Sequence, residues 1–148
     1  MKIGLANDHR GYTTKESLKI LLDDYEIIDY GCYSSELVDY PKYAFDLSNA
    51  VLKGEVDLGL VMCGTGIGVS IACNKVKGIR CAKIDNECEA RSAKEHNDAN
   101  VLAFSAQQHT PEEIKKMLDI FINSTFNVEP RYKIRIKQVE KYEESNEY

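Results

Sequence analysis

Short apolar runs alternate with amphipathic helical stretches along most of this chain, and few architectures accept that alternation. Residues 3–6, 26–30, 56–62, 79–83 and 100–104 read as strands, the third apolar throughout except for Asp57 and Gly59. Helical patterns lie between them. One covers 13–24 with Leu18, Leu21 and Leu22 on one side; another starts at Pro41 with Tyr43, Ala44, Leu47, Ala50 and Val51 inward. A third runs from a Gly-rich turn to about Lys75, and a fourth covers 86–97. Continuously apolar strands are covered on both faces. The expected fold is therefore α/β: a three-layer α/β/α sandwich around a five-stranded parallel, Rossmann-like sheet.

The fifth helix has the clearest local grammar. Thr110 can cap it, Pro111 suits its first position and Glu113 completes a capping box. Ile114, Met117, Leu118, Phe121 and Ile122 then recur at helical spacing, so one face docks on a sheet. A last segment from Pro130 reads as a C-terminal helix, and its charged end over 143–148 reads as frayed.

With 148 residues and no linker, repeat or low-complexity stretch, one domain over 1–148 is expected. Lys+Arg 19 against Asp+Glu 24 leaves a net charge of −5, which argues against nucleic acid as a partner. No apolar stretch approaches the ~20 residues of a membrane span, so no membrane partner is expected either. Residues 1–7 run straight into polar residues and are too short for a signal-peptide core, which makes a cytoplasmic protein the expectation. The five cysteines are odd in number and lack CxxC spacing, so neither a disulfide framework nor a zinc site is indicated. Most of these thiols read as core fillers in a reducing compartment.

Ligands of such folds sit at the carboxyl ends of the strands. That rule points to Asp8-His9 after the first strand and to Cys63-Gly64-Thr65-Gly66-Ile67-Gly68 after the third. Alternating glycines let several backbone N–H groups face one point, and the following helix adds its positive end, which suits an anion or a developing oxyanion. The spacing is neither the dinucleotide fingerprint nor a Walker loop, and a plain tight turn has the same glycines. Cys63 ends the strand and opens the turn, where a helix N-terminus stabilises a thiolate. Such a thiolate is a base or nucleophile; the competing reading is a buried apolar thiol. Neighbouring first and third strands would bring Asp8 and His9 beside it. His96 ends a helix and could serve only as a dipole partner. Arg131 and Arg135, four apart, share a helix face and make either a phosphate clamp or a solvated basic face.

With these residues in order, the sequence resembles the sugar-phosphate isomerases of the ribose-5-phosphate isomerase type B family. The resemblance runs through Asp8-His9-x-Gly11, Asp39-Tyr40-Pro41, the turn from Cys63 to Gly68, Asn74-Lys75, Gly78-Ile79-Arg80, and His96-Asn97-Asp98-x-Asn100 to Phe104. It ends at Arg131-x-x-x-Arg135. It implies an aldose–ketose isomerase of sugar phosphates without metal or organic cofactor. It also implies a homodimer or dimer of dimers whose sites are completed across the subunit interface, with the C-terminal helix packing on a partner.

Carried over by position, Cys63 is the base that moves a proton between C1 and C2. Thr65 and the backbone of Gly64, Gly66, Ile67 and Gly68 stabilise a cis-enediolate. His96 helps open the furanose ring, with Asp8 on the sugar hydroxyls; Asn97 holds a sugar oxygen, and His9, Arg131 and Arg135 hold the phosphate. One family branch has serine at the cysteine position and a glutamate base where Ile67 stands, which excludes this chain from it. In related galactose-6-phosphate isomerases the set is divided between two chains, whereas here it is united. Two departures stand at the phosphate end, Gln107 where many members have arginine and Tyr132 where histidine is common. Ribose 5-phosphate is the expected substrate. A six-carbon sugar phosphate (allose or galactose 6-phosphate) is the alternative, and a non-catalytic phosphosugar-binding module a third reading.

Overall fold

The apolar alternation is realised in a computed structural model that describes residues 1–147. The elements in chain order are β1 (Lys2–Asn7), α1 (Tyr12–Leu21), β2 (Glu26–Asp29), α2 (Tyr40–Leu52), β3 (Leu58–Cys63) and α3 (Ile67–Cys73). β4 (Cys81–Lys83), α4 (Glu87–Glu95), β5 (Val101–Ser105), α5 (Pro111–Asn123) and α6 (Pro130–Ser145) follow. The five strands form one parallel sheet in the order β2-β1-β3-β5-β4. The central strands β3 and β5 are buried at every position, which is why their sequences show no polar alternation.

Strand periodicity then decides what each side chain meets. Leu60 and Met62 of β3 join Leu18 of α1, Ala90 of α4 and Ile114 and Phe121 of α5 in one core. Val61 and Cys63 point the other way, into a second core with Ala44 and Leu47 of α2 and Val69 of α3. Cys63 is thereby committed to the α3 side of the sheet. The chain proceeds from β1 outward to β2 and returns to β3 on β1's other side. The order reverses between β1 and β3, and it is at this switch point that parallel sheets open a crevice at their carboxyl ends.

Helix ends follow their local chemistry. Thr110 accepts from the Glu113 N–H at 3.2 Å while the Glu113 carboxylate accepts from the Thr110 N–H at 2.8 Å, the reciprocal capping box expected of α5. Most element ends shift by one to three residues from the sequence reading, and three of the differences show their cause. α2 starts at Tyr40 after Asp39, so Pro41 lies inside its first turn. β4 is confined to Cys81–Lys83, because the Ile79 N–H is spent on the Val76 carbonyl at 3.0 Å in a turn before the strand. The tail from Glu143 is helical as far as Ser145, held where Glu143 accepts from the Gly78 N–H at 3.0 Å. Among the cysteines, Cys32 and Cys73 are buried as core fillers are expected to be, Cys63 is buried as well, and Cys88 lies on the exposed face of α4.

One fixture was invisible in the sequence. Lys15 of α1 is fully buried, and its ammonium donates to the Asp29 carboxylate and to the Cys32 carbonyl, each at 2.6 Å. Asp29 also accepts from the Gly31 N–H at 2.9 Å. This ties the start of the β2–α2 loop to α1, and the same loop delivers Val38 and Tyr40 to the carboxyl edge.

Burial alone would raise the Asp29 carboxyl, but Lys15, the Gly31 N–H and Lys19 together hold it below its ordinary value. A carboxylate lowered in the folded state contributes stability that is complete above its unfolded pKa of ~3.9 and lost as pH falls through the folded value. Lys15→Met is therefore expected to cost about 3 kcal/mol in urea unfolding at neutral pH. The gap to the parent protein should narrow below about pH 4.

Candidate active site

The β1/β3 pairing sets Asn7 beside Met62, so the residues after Asn7 and after Met62 leave the sheet together. The Asp8 N–H donates to the Met62 carbonyl at 3.2 Å, one residue before Cys63. The buried Asp8 carboxylate turns the chain by accepting from the N–H groups of Arg10 at 2.9 Å and Gly11 at 3.2 Å. His9 is half-buried, and its Nδ1 sits 3.2 Å from the Val38 carbonyl oxygen and 3.4 Å from the Val38 nitrogen. That contact leaves Nε2 as the nitrogen available to a ligand.

Cys63 closes β3 opposite Ser105. It is buried, 5% exposed, and its sulfur accepts from the Gly66 N–H at 3.1 Å. A peptide dipole is thus aimed at the sulfur, the contact through which protein backbone takes up thiolate charge. Thr65 is exposed at the tip, its hydroxyl accepting from the Ile67 N–H at 3.2 Å, and Ile67 is exposed at the start of α3. Gly66 has φ +75°, and a Cβ there would lie 2.9 Å from the Phe104 carbonyl carbon. The turn is sewn to the end of β5: the Ser105 hydroxyl donates to the Gly64 carbonyl at 2.7 Å, and the Gln107 N–H donates to the same oxygen at 3.1 Å.

The remaining expected residues lie elsewhere. His96 caps the end of α4, and Asn97 belongs to the turn that precedes β5. Both stand at the amino edge of the sheet. From Asn100 to Ser105, the strand partner of Cys63, the backbone climbs five steps of ~3.3 Å, so roughly 16 Å separates the two groups along the sheet. Arg80 fastens the turn, its Nε donating to the Asn97 carbonyl at 3.0 Å and its Nη2 to the Asp98 carbonyl at 2.9 Å, where Asp98 has φ 43°.

Tyr132, buried in the first turn of α6, stacks on His96 with ring centroids 4.7 Å apart and an interplanar angle of 1°. Arg131 lies over the same ring at 4.8 Å and donates to its hydroxyl at 3.2 Å. Arg135 lines a cleft of about 390 Å³ with Asn97, Arg80 and Cys81. The expected set therefore divides into two groups. Asp8, His9, Cys63, Gly64, Thr65, Gly66, Ile67 and Gly68 meet at the carboxyl edge; His96, Asn97, Arg131 and Arg135 gather at the amino edge.

The sequence reading assigned no role to two residues that the fold brings to the glycine turn. The Tyr40 ring lies against Gly68, within 2.7 Å of where a Cβ would stand, and the Arg10 side chain lies against Gly64. Neither position follows from helical or strand spacing, because both depend on loops folding back over the sheet.

The carboxyl edge thus carries a strand-end thiol and a glycine turn, and the amino edge a separate basic group. The family model described as Ribose/Galactose Isomerase matches residues 3–139, and the chain belongs to that family. It is 42% identical over 99% of both chains to a putative sugar phosphate isomerase of Bacillus subtilis. It is 40% identical over 84% of its length, and 85% of the relative's, to ribose-5-phosphate isomerase B of Escherichia coli. The solved structure of Clostridium thermocellum ribose-5-phosphate isomerase B superposes with a TM-score of 0.94 at 39% identity, covering 99% of this chain and 100% of the other. Among the described residues, no helix is long and apolar enough to cross a membrane.

Gly66→Ala should destabilise the protein by about 1–2 kcal/mol from the left-handed backbone alone, and by more once its Cβ presses on Phe104 and Ser105. Urea unfolding of the variant beside the parent protein measures this.

Proposed function

We propose that this chain interconverts ribose 5-phosphate and ribulose 5-phosphate through a cis-enediolate, with Cys63 as the base. The observation that carries the reading is the Cys63 sulfur facing the Gly66 N–H at 3.1 Å at the switch point of the sheet. The hydrogen on C2 of an aldose is weakly acidic, so its removal needs a base beside a prepared anion site. In the proposed step the thiolate takes that proton, the C–H electrons form the C1–C2 double bond and the carbonyl oxygen becomes the enediolate oxyanion. A proton passes from the C2 hydroxyl to the C1 oxygen; the C1–C2 double-bond electrons then take the proton back from the thiol onto C1, C2 becomes the ketone carbon and the thiolate is regenerated. Of the turn's donors, the Gly66 N–H is directed at the sulfur and the Ile67 N–H at the Thr65 hydroxyl, so the N–H groups of Gly64 and Gly68, with the Thr65 O–H, are the ones left to face the charge as it develops. One such donor is worth ~3–4 kcal/mol. Asp8, with one carboxylate oxygen committed to the backbone turn, offers its other oxygen to sugar hydroxyls.

His96 acts on ring opening, Asn97 on a sugar oxygen, and Arg131 and Arg135 with His9 on the phosphate. Phosphate binding remote from the chemistry fixes the reacting carbons against the thiolate. Because the two groups stand about 16 Å apart within one chain, the reading requires a second copy whose amino-edge group completes the first copy's carboxyl-edge group. The exposed apolar residues support this assembly: Ile67 and Ile71 on α3, and Ile134, Val139 and Tyr142 on α6. We accordingly propose a homodimer, alone or within a dimer of dimers, with α6 packed on its partner. Five unpaired cysteines favour a reducing, cytoplasmic setting.

Gln107 and Tyr132, both at the phosphate end, favour testing a second reading in which the substrate is a six-carbon sugar phosphate. Comparison of kcat/KM for ribose, allose and galactose phosphates should favour ribose 5-phosphate; a six-carbon preference would move the chain to the second reading.

Cys63→Ala is expected to lower kcat by roughly 10²- to 10⁴-fold while ribulose 5-phosphate still binds. A near-normal rate would remove the thiol from the mechanism. Mixing Cys63→Ala with His96→Asn chains should recover activity that neither variant has alone, since one site per mixed dimer is then intact. If unfolding and refolding the two together recovered none, the shared site would be wrong.

A further inference from the structure

We propose that Arg10 is an anion-binding residue of this site, its guanidinium holding the phosphate of the sugar phosphate together with Gln107. The proposal rests on the isomerase reading above for the identity of its ligand. Arg10 directly follows His9, and its own N–H is fixed to Asp8 at 2.9 Å, so its Cα is set relative to the carboxyl edge. The side chain then runs across the glycine turn. Its Cδ lies 2.8 Å and its Nη1 3.1 Å from the position a Cβ on Gly64 would take, and the Gln107 Nε2 lies 3.3 Å from the same position. Gly64 is next to Cys63, so three elements converge beside the thiol: the end of β1, the turn after β3 and the end of β5. Residue 64 has to lack a side chain for the guanidinium to lie there.

Charge completes the argument. Among the described residues no carboxylate comes within 4.0 Å of the Arg10 guanidinium, whereas Lys15, Lys19, Arg80, Lys94, Lys115 and Arg131 each have one. An exposed, uncompensated guanidinium laid on the candidate site of an acidic chain is a fork for a bidentate phosphate. Gln107 adds a neutral donor beside it. The free N–H groups of Gly64 and Gly68 serve the enediolate, while Arg10 stands at the rim, where the remote dianion of the substrate enters. Because Arg10 and Gln107 reach one point from different strands, an arginine at position 107 can present its guanidinium where Arg10 presents its own.

The test uses the full-length protein with Arg10→Ala, Arg10→Lys and the double variant Arg10→Ala/Gln107→Arg. It measures isomerisation of ribose 5-phosphate, isomerisation of unphosphorylated ribose, and displacement by inorganic phosphate read by calorimetry. Arg10→Ala should raise KM for ribose 5-phosphate and weaken phosphate binding by about tenfold, with KM rising more than kcat falls. It should leave kcat/KM for ribose within about twofold, and the double variant should recover most of the loss. Arg10→Lys should fall between, because a point charge replaces the fork.

The proposal is overturned if phosphate binding changes by less than about twofold, or if ribose and ribose 5-phosphate lose kcat/KM equally. It is overturned equally if the double variant recovers nothing while melting at the parent temperature. Should the parent protein bind phosphate through Arg10 yet isomerise no ribose 5-phosphate, the isomerase reading fails and the role of Arg10 stands.

Discussion

Parallel pairing of β1 with β3 is the constraint on which the rest of the molecule depends. Two crossovers leave that pair in opposite directions, so the loops after β1 and β3 diverge above the sheet and leave a crevice between them. Register then acts at single-residue resolution. Asn7 opposite Met62 releases Asp8 and Cys63 at the same level, and the two-residue period turns Cys63 toward α3 while Met62 enters the opposite core. A slip of one residue would exchange those faces and take the sulfur away from the turn.

Chemistry at this edge is prepared by backbone rather than by charged side chains. The thiol meets a peptide N–H, the turn is bonded to the end of β5 through the Ser105 hydroxyl, and Asp8 spends one oxygen on holding the chain in its bend. Donors of this kind are already oriented when negative charge develops, which is the source of their value in a transition state. The buried Lys15–Asp29 pair belongs to the same design at one remove, since it anchors the loop that brings Val38 to His9 and Tyr40 to Gly68.

The amino edge follows a different logic. Ligands of open α/β sheets sit at the carboxyl ends, and eight of the twelve expected residues obey that rule. His96, Asn97, Arg131 and Arg135 do not, yet they are ordered as a group: Tyr132 stacks on the imidazole and carries the Arg131 guanidinium against its ring, and Arg80 fastens the turn that holds Asn97. In the proposed dimer this basic, preorganised group faces another copy of the chain, and the exposed apolar residues of α3 and α6 are the surface proposed for that copy.

The sequence by itself determined the layered α/β fold, the positions of the five strands, the capping box of α5, and the placing of Cys63, the glycine turn and Asp8-His9 at one edge of the sheet. Those features are local: apolar period, cap chemistry and strand-end position are each written within a dozen residues. Tertiary structure alone decided that Lys15 is buried, that Arg10 and Tyr40 lie on the glycine turn, and that Tyr132 stacks on His96. It also decided that His96 and Arg131 stand at the amino edge of the sheet, the opposite edge from Cys63. Each of these depends on which loops fold over which strand ends. A chain's hydrophobic period fixes the layers but carries no record of the loop paths, because the charged and aromatic side chains that settle there gain their partners only once the sheet has closed its order.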